Sequence, residues 1–171
     1  SKTLNLIKSL FYDLSNLGIY HSQKSIWRYG LWDKNPEDLS INLYETSADK
    51  FTSQIYSNNR DEAVLILPDK SLYNRNNISQ ILLTGFKKQK FFIGYSKALV
   101  KTGALASIIT PIEDIGKDIA NIVTEKLAGK TKAQIHYPSK YKIIVNKNIL
   151  DSLNIPIDED FIRHHPVEFL K

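Results

Sequence analysis

Apolar residues along this chain recur in two alternating spacings. In "KTLNLIKSLFYDL" (2–14), Leu4, Ile7, Leu10, Phe11 and Leu14 fall three and four apart, which predicts a helix. "NLGIYHS" (16–22) is a short apolar run ending in polar groups and predicts a strand. "SIWRYGLWDKN" (25–35) begins as a helix and is broken at Asn35-Pro36. "SINLYET" (40–46) alternates and predicts a strand; Ser47 then caps a helix over "ADKFTSQIYSN" (48–58).

The next runs are more apolar. "EAVLILPD" (62–69), stopped by Pro68, is the pattern of a central strand buried on both faces. Asn76 or Asn77 caps a helix over "ISQILLTGFKKQ" (78–89) that turns Ile78, Ile81, Leu82 and Phe86 inward. "KFFIGYS" (90–96) is a second buried strand, followed by a polar, basic loop. "GALASIITP" (103–111) is a strand or a turn of helix. "IEDIGKDIANIVTEKLAG" (112–129) carries a clean apolar stripe of Ile112, Ile115, Ile119, Ile122, Val123 and Leu127. Pro111 suits its first turn and Gly129 its C′ position. A late strand "YKIIVN" (141–146) and a short helix "KNILDSLNI" (147–155) precede Pro156.

The predicted order is α-β-α-β-α-β-α-β-β-α-β-α. Strands alternating with helices imply right-handed crossovers and an α/β fold, a three-layer αβα sandwich with a mostly parallel, doubly wound sheet. A length of 171 residues predicts a single lobe over 1–171. Within it we distinguish an opening helix (1–15), a βα core (16–129) and a last part (130–171) of late strand, short helix and C-terminal tail.

Composition narrows the chemistry. The chain is 42% hydrophobic and so can bury a core. No apolar run reaches the roughly 18 residues of a membrane span. The sequence has no cysteine, which excludes disulfides, thiolate metal sites and a cysteine nucleophile. It also has no methionine, even at position 1, so we expect a processed product or an excised segment. The net charge of +5 is spread along the chain. Its densest cluster, Lys87-Lys88-Gln89-Lys90, reads more readily as a solvated helix end than as a nucleic-acid patch.

Open α/β sheets bind ligands outside the carboxyl ends of their strands. Here those ends are His21-Ser22, Glu45-Thr46, Pro68-Asp69, Gly94-Tyr95-Ser96 and the Gly103-Ala104 region. The loop "PDKSLYNRNN" (68–77) adds Asp69, Tyr73, Asn74 and Arg75, which offer an aromatic face, an amide and acceptors to a small polar ligand. Asn and Asp in such a loop equally serve turn and cap geometry. His21 is the histidine best placed for a site. His136 suggests nothing specific, and His164-His165 reads as surface rather than a metal pair. Trp27 and Trp32 would stack on a ligand or, more commonly, cover a helix face. Dinucleotide, P-loop and nucleophile-elbow signatures are missing. The first strand's end, "YHSQKS", lacks the acidic cluster of a receiver domain, and "HSQKSIW" lacks the glycine of a flavin phosphate loop. No catalytic residue, metal or cofactor is expected.

The series "AVLILPDKSLYNRNNISQILL", "FFIGYSKALVKTGALAS", "IGKDIANIVTEKLAGK" and "YKIIVNKNILDSLNIPIDEDFI" resembles, in that order, ABC transporter substrate-binding proteins of the tryptophan-binding-protein-like group, with a periplasmic-binding-protein type I-like fold. The match is best over roughly residues 60–162, while 3–59 match in layout. The resemblance implies two α/β lobes around a cleft, of which this chain is the C-terminal one, with an N-terminal lobe missing. It implies capture of a small polar solute, such as an amino acid, for an ABC permease of the inner membrane. It also implies a periplasmic or lipid-anchored extracytoplasmic location and no nucleic-acid partner. Carried onto this chain it points to Ser22, Asp69, Tyr73, Asn74, Ser96 and the backbone near Gly103 as ligand-binding, with Gly103-Ala104 keeping the cleft free of bulk. The alternative is a ligand-sensing lobe of a regulator or signalling receptor with the same fold.

Overall fold

A computed structural model describes residues 2–25, 36–130 and 138–171. Residues 26–35 of the segment expected to begin as a helix, with Trp27 and Trp32, and His136 lie outside the described residues. The elements are α1 (Lys2–Leu10), β1 (Asn16–His21), β2 (Ser40–Glu45), α2 (Ala48–Ser57), β3 (Ala63–Leu65), α3 (Ile78–Lys87), β4 (Phe91–Gly94), α4 (Lys97–Thr102), β5 (Ala106–Ile109), α5 (Ile112–Leu127), β6 (Lys142–Asn146), α6 (Lys147–Leu153), α7 (Glu159–His164) and β7 (Val167–Leu170).

The strands form one sheet in the order β2-β1-β3-β4-β5-β6-β7. β1 to β5 are mutually parallel, β6 is antiparallel to β5, and β7 is parallel to β6. The apolar runs explain the layering. Ala63 and Leu65 of β3, with Phe91 and Ile93 of β4, pack on one face with Leu4, Ile7 and Leu10 of α1, Leu150 of α6 and Phe161 of α7. Their neighbours Val64 and Phe92 point to the other face, against Phe51 and Ile55 of α2 and Ile81 and Leu82 of α3. Period-two alternation with both faces apolar buries the centre of the sheet twice over. The sandwich expected from the sequence is therefore the observed architecture.

Three elements differ from the expectation. The basic loop after the second buried strand is a helix, α4: Ser96 Oγ accepts from the Leu99 N–H at 3.3 Å to cap it, and Gly103, at φ 127°, closes it. One turn and a half is too short for a hydrophobic period to register. The C-terminal tail folds as α7, capped by Asp158 Oδ1 accepting from the Phe161 N–H at 2.8 Å, and as the edge strand β7. The third difference is α5, which buries none of its residues.

At the opposite edge, the basic cluster is divided by its surroundings. Lys90 is buried and donates to the Asp61 carbonyl, whereas Lys88 lies 3.9 Å from the centre of the Tyr56 ring.

Candidate functional site

The strand order reverses between β1 and β3, since β2 lies on one side and β4 and β5 on the other. Such a reversal opens a crevice at the carboxyl ends, because the flanking connections leave in opposite directions. Ser22 follows β1 and Asp69 follows β3, and the two meet there: the Ser22 N–H donates to Asp69 Oδ2 at 2.8 Å. Asp69 Oδ1 accepts from the Ser71 N–H at 3.0 Å, and the Asp69 carbonyl accepts from the Leu72 and Tyr73 N–H groups. Burial alone would raise the Asp69 pKa, but the N–H donors of Ser22 and Ser71 outweigh it and hold the carboxyl below its usual value. The carboxylate thus ties the β1 end to the start of the β3 loop.

That loop delivers the residues beyond it. Asn77 Oδ1 accepts from the Asn74 N–H at 2.9 Å, Asn77 Nδ2 donates to the Leu72 carbonyl at 2.7 Å, and Asn74 Oδ1 accepts from the Asn76 N–H at 3.0 Å. These bonds turn the chain into α3 and leave the Asn74 side chain at the surface. Tyr73 goes inward, its ring edge-on to Phe51 at 5.1 Å. Its hydroxyl is buried without a hydrogen-bond partner among the described residues, and burial pushes its pKa well above the ordinary value. A neutral, orphaned hydroxyl is the kind of group a bound ligand or water completes.

Between the ends of β3 and β4 lies an open depression of about 620 Å³. Tyr73, Asn74, Lys70 and Arg75 line one side, Tyr95, Ser96, Ala98, Leu99 and Thr102 the other, with Ile78 of α3 between. Apolar Ile78 and Leu99, two tyrosine rings and two cations suit an amphiphilic small molecule with an anionic group. Gly94, just before it, leaves room for Leu99: a Cβ there would stand 2.7 Å from Leu99 Cδ1 and 3.0 Å from Ser107 Oγ.

Of the residues expected at a site, Tyr73, Asn74 and Ser96 line this depression; Ser22 and Asp69 do not line it but bond to each other, and the Asp69 carbonyl holds the N–H of Tyr73. Gly103 does not join them. It ends α4 ahead of β5, its nearest side-chain neighbour is Leu82, and its glycine is required by the positive φ rather than by a cleft. His21 is buried, with Nδ1 3.2 Å from the Ser22 carbonyl. Lys70, Leu99 and Thr102 were not singled out in the sequence, and Ile78 was read there as turned inward by its helix; Leu99 and Thr102 lie on α4, whose helical face brings them to one side. His165 stacks on Phe161 at 3.9 Å, and no cluster of three metal-ligating side chains exists among the described residues.

Residues 1–166 match the family model described as ABC transporter substrate binding protein. Among curated proteins there is no match. Three solved structures have the same fold. An ABC domain in complex with L-Trp from Streptococcus pneumonia is 18% identical, with a TM-score of 0.68 over 98% of this chain and 59% of its own. A conserved domain protein from Vibrio cholerae is 15% identical, with a TM-score of 0.66 and coverages of 98% and 59%. The ligand-free, open structure of a substrate binding protein with adhesive properties from Clostridium difficile is 16% identical, with a TM-score of 0.69 and coverages of 99% and 59%. This chain thus spans 59% of the length of each.

Proposed function

The chain belongs to the ABC transporter substrate-binding protein family, and from that premise we propose that it is the C-terminal ligand-binding lobe of a two-lobed solute receptor. Its family is of the solute-binding type rather than an enzyme family. The solute is a small amphiphilic molecule, for which an amino acid with an apolar or aromatic side chain is the best fit. The observation that carries this reading is the depression between the β3 and β4 ends. Lys70 and Arg75 supply charge for a carboxylate, Tyr95 is a half-exposed ring for stacking, and Ile78 and Leu99 give an apolar floor. The L-Trp held by the streptococcal neighbour is in keeping with that chemistry.

The depression is open, so one lobe makes only part of the contacts. A ligand touching both lobes stabilises the closed form by its differential contacts, and the closed form is what a permease of the inner membrane would select. This reading puts the protein in the periplasm or on a lipid anchor outside the cytoplasm, where the family works. A sensing lobe of a regulator would share the fold, but the family match supports transport. The test is a thermal-shift screen of the intact gene product against the proteinogenic amino acids. Stabilisation by one or a few is expected. A flat response to all of them, with a shift from a sugar instead, would overturn the assignment.

A further inference from the structure

Helix α4 does not hold itself in place. It has six residues, and a helix that short is unstable on its own. Val100 is its one buried residue, so packing anchors it at a single point. Yet α4 builds a wall of the ligand depression through Ala98, Leu99 and Thr102, with Ser96 as its cap. Groups outside the helix therefore set where that wall stands.

Two side chains grip α4 by its carbonyl groups. Ser107 of β5 is fully buried, and its Oγ donates to the Ser96 carbonyl at 2.9 Å. Ser107 lies opposite Gly94 in the parallel ladder, so it reaches the turn where β4 becomes α4. Asn146, the last residue of β6, holds the other end: its Nδ2 donates to the Val100 carbonyl at 3.1 Å. Its Oδ1 accepts from the Ile149 N–H at 3.0 Å and caps α6. The Asn146 backbone is itself fixed, since its N–H donates to the Leu105 carbonyl at 2.8 Å. The α6 cap accounts for Oδ1 alone; Nδ2 and the Ser107 hydroxyl both end on the chain that forms the wall.

We propose that Ser107 and Asn146 are positioning residues of the ligand site. Neither lines the depression. Acting through the two ends of α4, they fix how far Leu99 and Thr102 stand from the side that carries Tyr73 and Asn74. Loss of either grip lets the helix pivot about the other, and the depression loses its shape while the sheet beneath it stays intact. The inference rests on the reading of this depression as the solute site.

The test uses the intact gene product with Ser107→Ala and, separately, Asn146→Asp. Asn146→Asp keeps an oxygen for the α6 cap but sets an acceptor against the Val100 carbonyl, so it breaks the grip without uncapping α6. Asn42→Ala removes a 2.7 Å bond to Asp61 at the β2 edge and is the control for lost stability alone. Two quantities are read: hydrogen exchange of the amides of residues 99–104, and affinity for the best hit among the proteinogenic amino acids. Both grip variants should speed that exchange and weaken binding about five- to tenfold, while Asn42→Ala stays within about twofold of the parent in both. Either grip variant decides the matter if the other fails to fold. Unchanged exchange at α4 would overturn the proposal, and so would faster exchange with unchanged affinity. A parent protein that binds no amino acid sinks the ligand reading instead; exchange then still decides whether the two residues hold α4, with equal rates counting against it.

Discussion

The Ser22 N–H and Asp69 Oδ2, 2.8 Å apart, join the end of β1 to the loop after β3 at the point where the strand order reverses. Asp69→Ala leaves the buried Ser22 N–H without its acceptor and frees the Ser71 N–H. It should cost about 1–3 kcal/mol, read from urea unfolding. An unchanged midpoint would mean the loop holds without this bond.

The same carboxylate predicts a pH dependence. Asp69 has a lowered pKa in the folded state despite its burial, because the Ser22 and Ser71 N–H groups favour its charged form. Its contribution is present above the unfolded value of about 3.9 and is lost as pH falls through the lower folded value. Asp69→Asn should therefore show a shallower loss of stability below about pH 4 than the parent chain.

Glu168 of β7 sits between Lys142 Nζ at 2.6 Å and Lys97 Nζ at 2.7 Å, and their hydrogen bonds lower its pKa to about 2. These contacts fasten the start of α4 to the last strand. The sign is again that of a depressed carboxylate: stabilisation holds above the unfolded value of about 4.3 and fades toward pH 2. Melting curves of Glu168→Gln should lose less on going from pH 5 to about pH 2.5 than the parent's, and high salt should narrow the difference at neutral pH.

Asp61 anchors the far end of the sheet. Its carboxylate accepts from Asn42 Nδ2 and Asn58 Nδ2, both at 2.7 Å, and from Tyr44 Oη at 3.3 Å. Asp61→Ala would strand the buried Asn42 amide and leave the Asn58 amide only its bond to Tyr20 Oη, and it should lower stability by about 1–3 kcal/mol, with no effect on ligand selectivity in the intact protein. A change in which amino acid binds would contradict the assignment of this network to folding alone.

Gly94 governs the wall of the depression. A Cβ at position 94 would stand 3.2 Å from Leu99 Cβ, so Gly94→Val would press on Leu99 and shift α4. Ligand affinity in the intact protein should fall at least about tenfold, more than the loss of stability alone explains.

Much of the layout was legible in the sequence because the signals were strong. The runs 62–69 and 90–96 are apolar on both alternations, and in the structure Val64 and Leu65 do face opposite layers. Gly129 ends α5 as expected: the Lys130 N–H donates to the Glu125 carbonyl and the Gly129 N–H to the Lys126 carbonyl, with φ 65° at the glycine. Short or externally determined features were not legible. α4 offers too few apolar residues for a period, and β7 pairs only with β6 among the described residues, a contact its own four residues do not announce. The stripe of α5 was visible, but periodicity names a buried face without naming what buries it. The candidate site was partly legible for the same reason: Tyr73, Asn74 and Ser96 follow strands, whereas Leu99 and Thr102 depend on α4.

The proposed function rests on this lobe carrying half of a ligand site. Calorimetric titration of one amino acid, the best hit of the thermal-shift screen, into the intact receptor and into the 171-residue chain tests it most directly. Micromolar binding, about −8 kcal/mol, is expected of the intact protein, and binding at least about 100-fold weaker of the isolated lobe. Equal affinity in both would contradict it, because the whole site would then lie within this chain.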